Sequence, residues 1–486
     1  MKFRQHVWGL AVASLLGGCS VVSDFNECSA GSECASGVCD NGICADTTTC
    51  TSASECADTE ICVRGACIAL KAGCTAAQAL ENRESEMIYV GSLMPLSGRN
   101  AEKGQATDLG VTVAFAQVNQ SANGVNGAKI GQITCDTLND VEVAVEQGNY
   151  LSTELGLAAV IGSISSSETL AVAQQVTVPG DTLLISPAST APSITAIDSG
   201  KDLVFRTIPS DVLQAPALAS LIEQRGYASI AVLAVNSTYG EGLLGALLTA
   251  LPPSATQTDV FKTLRYDVQE GSLVTETLVE DATQLFVTEG FAPEAIVVLG
   301  SVEGQQLIFA LDSLFATDNA PDWVLTDAAR DAGLLDAAKF GAVHPRIVGT
   351  SPQSTQSPQF QQFQVRYEGA GAFGARDFPF ADRAYDAAML VALALNAVDT
   401  PADTNGTALS GVLKRVSSGA QYEASGDLLS ASATLRNGDS IDYLGASGAV
   451  DFDAAGDVKS AIESWTIEEG KFVSGAVLID ADGNLP

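Results

Sequence analysis

The segment IYVGSLMPLSGRNAEKGQATDLGVTVAFAQVNQSANGVNGAKI (88–130) decides how this chain folds. It opens on an apolar run that stops at Pro95 and passes through a Ser-Gly turn. It continues as ATDLGVTVAFAQVNQ (106–120), whose apolar residues have helical spacing, and ends in an Asn/Gly cluster before a new apolar start. Strand, helix, strand is the reading. The pattern recurs downstream. AAVIGSIS (158–165), TLLISPAS (182–189), SIAVLAV (229–235), AIVVLGS (295–301), WVLTD (323–327) and RIVGTS (346–351) are short apolar runs that end in small or polar residues. DAAMLVALALNAV (386–398) is again helical in spacing. Such alternation predicts an α/β protein with parallel sheets covered on both faces. There are more strands than one small sheet needs, so the economical architecture is two doubly wound parallel-sheet lobes joined by a hinge. Ligands of such sheets bind beyond the carboxyl ends of the strands.

Composition narrows the function. The chain has 486 residues, 46% of them apolar and 17% charged, enough to bury a large core in two or three domains. Its 58 acidic against 24 basic residues give a net charge of −34, which repels phosphate backbones and argues against a nucleic-acid partner. The acids are scattered, as on a solvated surface. Only two histidines occur, His6 and His344, which counts against Ser-His-Asp or Cys-His catalysis and against His-rich zinc sites. No enzymatic chemistry, no cofactor and no metal are expected.

Residues 1–19 read MKFRQHVWGLAVASLLGGC. Lys2 and Arg4 precede an apolar core, Trp8 to Leu16, that is too short to span a bilayer as a stable helix. LLGGC resembles a bacterial lipobox, which implies a signal peptide over 1–18, lipid on Cys19 and a membrane anchor in the cell envelope. Ser20 in place of Asp leans towards the outer membrane.

Two segments then match each other, CSAGSECASGVCDNGIC (28–44) and CTSASECADTEICVRGAC (50–67). Each carries four cysteines: Cys28, Cys34, Cys39 and Cys44, then Cys50, Cys56, Cys62 and Cys67. A unit this small cannot hold its own core, so disulfides are expected in an exported chain. Metal binding is the rival, disfavoured by the lack of a CxxC pair or a nearby histidine. Cys74 and Cys135 are left over and can pair with each other. Four cysteines allow three connectivities per unit, and the sequence does not choose among them. The expected role is a stiff stalk or a small docking module.

The long segment quoted above resembles the first strand–helix–strand unit of the type I periplasmic binding proteins, in particular the leucine/isoleucine/valine-binding family of ABC transporters. PLSG (95–98), the Gly104-led helix and NGVNGAKI (123–130) carry the likeness. VIGSISSSETLAVA, LISPASTAPSIT, VFRTIPSD (204–211), the Tyr239–Gly242 run and SGAVDFDAAGDV (447–458) follow in family order. The resemblance covers roughly residues 86–480.

It implies that the hydroxyl-rich loops ending two adjacent strands hold an amino acid. Thr190 would offer its hydroxyl and N–H to the α-carboxylate, Ser166 would donate to the same carboxylate, and Ser189 would offer its carbonyl to the ammonium. Asp327 would supply the counter-charge where the family has an acid, usually Glu. Tyr239 would border the ligand side chain. Each has a plainer alternative: helix capping for Ser165 or Ser166 and for Asp327, packing for Tyr239. The family pattern places an aromatic near Lys103 and a tyrosine near Val302 or Glu303. Both are absent here, which implies a more polar ligand. The family disulfide is also missing: Cys135 falls short of its first position, and Ser165 replaces its second cysteine.

The expected division is a signal peptide (1–18), a linker (19–27), a cysteine-rich spacer (28–74), lobe 1 (86–208 and 349–458), lobe 2 (209–348) and strands returning to lobe 2 (459–486). GAGAFG (369–374) follows a helical stretch instead of a strand and is no phosphate loop. DFDAAGDVKSAIE (451–463) lacks calcium ligands at Ala455 and at its end, and reads as a hairpin turn. No Walker A motif occurs, so an ATPase would be another chain. The expected function is a lipid-anchored receptor that closes on an amino acid or similar small zwitterion and presents it to an ABC permease. The alternative is a surface or sensory receptor on the same fold.

Overall fold

A computed structural model describes residues 49–76, 81–197, 202–268, 276–353, 355–371, 374, 380–400, 404–424 and 426–485, and the backbone of 39–40 and 43–44. The expected signal peptide and the cysteines Cys19, Cys28 and Cys34 lie outside the described residues.

Two sheets form the frame. The first contains β1 (Cys74–Thr75), β2 (Met87–Met94), β3 (Lys129–Asp136), β4 (Ala159–Gly162), β5 (Leu183–Ser186) and β6 (Val204–Arg206), in the spatial order β6-β5-β4-β2-β3-β1. All neighbours are parallel except the short edge strand β1. The second contains β7 (Ile230–Val235), β8 (Phe261–Tyr266), β9 (Ala295–Leu299), β10 (Asp322–Leu325), β11 (Ile347–Pro352), β12 (Ile462–Glu468) and β13 (Lys471–Ile479), in the order β8-β7-β9-β10-β11-β12-β13. Its first five strands are parallel and its last two antiparallel. β4, β5, β7 and β9 are buried along their whole length, as strands covered on both faces must be.

Both parallel sets share one winding. In each, the second strand lies outside the first, and the third to fifth follow on the other side. The order reverses between β2 and β4 in lobe 1 and between β7 and β9 in lobe 2, and crevices open at such switch points.

Helix α1 (Ala101–Ser121) covers lobe 1 beside α2 (Ala381–Ala397), a helix buried along its entire length. Gly104 lets α1 start tight against the turn before it, since a Cβ there would lie 2.0 Å from the Pro95 carbonyl oxygen. The chain crosses between lobes three times. Two of these connections run side by side, bridged at Pro209 and Val458, and Gln353 N–H donates to the Ala461 carbonyl (2.8 Å) in the third. β11 lies in the second sheet as one piece, so the return to lobe 1 falls after Pro352 and not after residue 348. Pairing with β10 on one side and β12 on the other fixes it there.

The second cysteine-rich unit pairs Cys50 with Cys62 and Cys56 with Cys67, and Cys74 pairs with Cys135. The three sulfurs of Cys50, Cys56 and Cys67 stand close enough to suggest a metal site, but all are engaged in disulfides. In the first unit the backbone pairs Cys39 opposite Cys44, as the second pairs Cys62 opposite Cys67.

The second unit is not a free spacer. Ile61, Val63, Ala66 and Ile68 are buried in one cluster with Tyr89, Leu93, Leu151 and Leu155 of lobe 1. Arg64 donates to the Gly156 carbonyl (2.8 Å), and Lys71 pairs with Glu146 (2.8 Å). Too small to own a core, the unit shares that of lobe 1. The Phe452–Val458 bridge closes a turn where the calcium-like sequence lies. Among the described residues no helix is long and apolar enough to cross a membrane.

Candidate ligand-binding cleft

The loops at the two switch points face each other around a cavity of about 160 Å³. Lobe 1 contributes Arg99, Asn100 and Lys103 after β2, Ser165, Ser166, Ser167 and Glu168 after β4, and Thr190 after β5. Lobe 2 contributes Ser237 and Tyr239 after β7, Ser301 and Glu303 after β9, and Asp327 and Ala328 after β10. Ile164, Val235 and Phe380 supply apolar wall.

The lobes touch through polar contacts. Lys103, at the start of α1, donates from Nζ to Ser301 Oγ (3.1 Å) and to the Ala328 carbonyl. Ser301 Oγ also meets Asn100 Oδ1 (3.3 Å), and Thr238 N–H donates to Ser167 Oγ (3.3 Å). Burial pushes the Lys103 ammonium down from its ordinary pKa, opposed by the charges of Asp331, Glu303 and Asp327.

Four of the five expected site residues line this cavity. Ser166 opens the helix Ser166–Val172, and its Oγ accepts from Ala191 N–H (3.3 Å), so its own proton stays free to donate. Ser165 holds the N-cap position but makes no capping hydrogen bond. Thr190 Oγ1 donates to Asp211 Oδ2 (3.0 Å). Tyr239 reaches Thr326 Oγ1 (2.7 Å) from the first turn of its helix. Asp327 is not an N-cap: Thr326 occupies that position, and Asp327 Oδ1 accepts from Gln214 Nε2 (2.8 Å). Burial raises the Asp327 pKa, and the Gln214 hydrogen bond partly offsets it.

Ser189 stands behind the wall. Its hydroxyl bonds Thr169 (2.8 Å) and the Ser163 carbonyl (3.1 Å), and its own carbonyl accepts from Arg206 (3.3 Å). The carbonyl expected to meet an ammonium therefore already serves a guanidinium. Arg206 is fully buried, also donates to the Ala191 carbonyl (3.0 Å), and forks onto Asp457 (2.6 Å from Nε). That fork stiffens the loop after β5.

Three acids escaped the sequence reading as site residues or were noted only as departures. Asp211 follows β6, and burial and the neighbouring Asp327 raise its pKa well above the ordinary range. Glu168 lies in the SISSSET run, accepts from Ser163 and from Asn139 (3.2 Å), and is pushed by burial to a pKa of about 7. Glu303, 2% exposed, lies beside Tyr266 OH at 3.5 Å, and its Oε2 has no hydrogen-bond partner. Gly300 permits this crowding, since a Cβ there would meet Tyr266 OH at 2.2 Å. The only sequence signal for the first two is an acid one or two residues into a helix after a strand, a position that capping also explains.

Comparison with known proteins bears on the fold and the family. A chemotactic signal transduction system substrate-binding protein, BasB, of Halobacterium salinarum is 28% identical over 383 residues, covering 76% of this chain and 84% of that protein. The Leu/Ile/Val-binding protein of Escherichia coli is 29% identical over 227 residues, 46% of this chain and 60% of that protein. Among solved structures, the isoleucine-bound LivJ of Streptococcus pneumoniae superposes with a TM-score of 0.62 at 20% identity, covering 80% of this chain and all of that one. A Rhodopseudomonas palustris solute-binding protein in complex with 4-hydroxybenzoate gives a TM-score of 0.64 at 15% identity, covering 80% of this chain and 96% of that one. Those likenesses establish the type I periplasmic-binding-protein fold. The model of the receptor family ligand binding region matches residues 106–468, most of the sequence, and the chain belongs to that family.

Proposed function

We propose that this chain is a lipid-anchored extracytoplasmic receptor that captures an amino acid or similar small zwitterion between its lobes. The observation that carries the reading is the division of polar groups across one cavity between the lobes. Ser166 and Thr190 stand on lobe 1 with hydroxyls, and Asp327 stands on lobe 2 with a buried carboxylate. An α-carboxylate fits the first pair and an ammonium the second. Thr190 Oγ1 can exchange its bond to Asp211 Oδ2 for one to the ligand carboxylate. The Arg206 fork holds the Thr190 loop in place before the ligand arrives, so less ordering is lost on binding. Because the ligand bridges both lobes, its contacts are complete only in the closed form, and binding favours closure. No step changes the ligand covalently.

Cys19 carries the lipid in this reading, and an ABC permease receives the closed, loaded form. The BasB likeness favours a second outlet, in which the loaded form signals to a sensory partner. A thermal-shift screen of the chain from Ser20 onward against amino acids, amides and carboxylates tests capture. A ligand of the folded state raises the melting temperature when supplied well above its dissociation constant. A folded sample that no amino acid stabilises would overturn the proposal. Uptake of the labelled ligand by cells with and without this chain separates the outlets: transport predicts lost uptake, sensing predicts intact uptake and a lost response.

A further inference from the structure

We infer that Glu303 reads the side chain of the captured amino acid, and that the ligand is a compact amino acid carrying a hydroxyl or amide donor. This rests on the amino-acid reading above and adds the side-chain class.

Glu303 is 2% exposed, lines the cavity, and has one carboxylate oxygen with no hydrogen-bond partner. A buried acceptor left unpaired is costly. No donor of the described residues reaches that oxygen, and the polar groups around the cavity bond elsewhere. Lys103 Nζ serves Ser301 and Ala328, Asn139 Nδ2 serves Glu168, and Asn100 Nδ2 and Arg99 Nε both serve Asn139 Oδ1. A donor that arrives with the ligand would satisfy Glu303, because the open valence is an acceptor. A ligand side-chain carboxylate would bring a second acceptor to Glu303 and no donor. A compact side chain suits the cavity of about 160 Å³, which lies below the roughly 300 Å³ at which pockets begin to take drug-sized ligands. Lys103 reaches across it to the other lobe and takes the place of any long cationic side chain.

Threonine and valine are matched in shape and differ by one donor, so they isolate the proposed contact. Calorimetric titration of the full chain is expected to show threonine at least about tenfold tighter than valine, and serine tighter than alanine, since a site built around a hydrogen bond rejects the analogue that lacks it. In Glu303→Leu the threonine-to-valine ratio falls to about one or inverts. Glu303→Gln keeps an acceptor and the side-chain size, guards against a misfolded Leu variant, and lowers the ratio without abolishing it. Valine binding as tightly as threonine to the unaltered chain overturns this inference and leaves the amino-acid reading standing. An unchanged ratio in folded Glu303→Leu or Glu303→Gln also overturns it. Failure of every amino acid to bind overturns both.

Discussion

Two regions of this molecule bury acids, and they treat them differently. Asp386, in the middle of α2, accepts from Tyr443 OH (3.1 Å), Ala446 N–H (2.8 Å), Ser447 N–H (2.8 Å) and Ser447 Oγ (2.6 Å). It pins the small sheet of Ala420–Glu423, Ile441–Gly445 and Gly448–Ala449 to lobe 1. In the cleft, Glu303 keeps one buried oxygen without a partner, and Asp211, behind Thr190, keeps another. The first arrangement is finished by the fold alone. The second is finished only by something that enters. An acid buried with every valence met is part of the structure, and one buried with a valence open belongs to a site.

The contrast breaks most visibly at Asp386. Asp386→Ala strands four donors at once, and a loss of about 3–5 kcal/mol is expected, as when one partner of a buried charged contact is removed. Urea denaturation measures it. Ligand affinity of the fraction that remains folded should not change. A stable variant with weakened binding would place Asp386 with the cleft acids and dissolve the comparison.

The next effect is the converse. In Ser166→Ala with Thr190→Ala, ligand affinity is expected to fall by at least about a hundredfold, or ~2.7 kcal/mol, near the lower end for two hydrogen bonds to a charged group. The melting temperature without ligand should move by only a few degrees. Binding that survives the double substitution would show that the hydroxyls are caps and packing.

The frame of this molecule was legible because it depends on local pattern. Apolar runs such as AIVVL (295–299) and AVIG (159–162) stop where the strands stop, and the helical spacing around 106–120 predicts α1. The pairing of Cys74 with Cys135 followed from two cysteines left over. The lining of the candidate site was half legible. Ser166, Thr190, Tyr239 and Asp327 could be placed because strand ends in doubly wound sheets converge. Ser189 failed because its carbonyl partner, Arg206, belongs to a different strand, and nothing local signals that contact. Asp211 and Glu168 were invisible as buried acids, since burial is decided by the opposite lobe and by loops distant in sequence. The second cysteine-rich unit misled differently. Its Ile61, Val63, Ala66 and Ile68 are too few for a core, which is correct, but a unit without a core can borrow one.

Glu168 is where the comparison can be sharpened, because it shares features of both regions. It lines the cavity, yet Ser163 and Asn139 meet its two oxygens. If satisfied valences mark structure, Glu168→Gln should alter affinity by less than about threefold while changing how stability depends on pH. The sign follows from its pKa of about 7, raised by burial from 4.5. Between those values the folded chain holds a proton that the unfolded chain has released. The stabilising contribution is therefore complete below about 4.5 and is lost as pH rises through 7. Asp108, raised by burial to about 6, and Asp386, raised to about 7, act in the same direction. The melting temperature of the unaltered chain should accordingly fall as pH rises from 5 to 8. The glutamine variant should fall less steeply over the same window, with Asp108 and Asp386 sustaining the remaining slope. Parallel curves for the two proteins would mean that Glu168 is ionised in the folded cleft. It would then stand with Glu303 as a carboxylate facing the ligand.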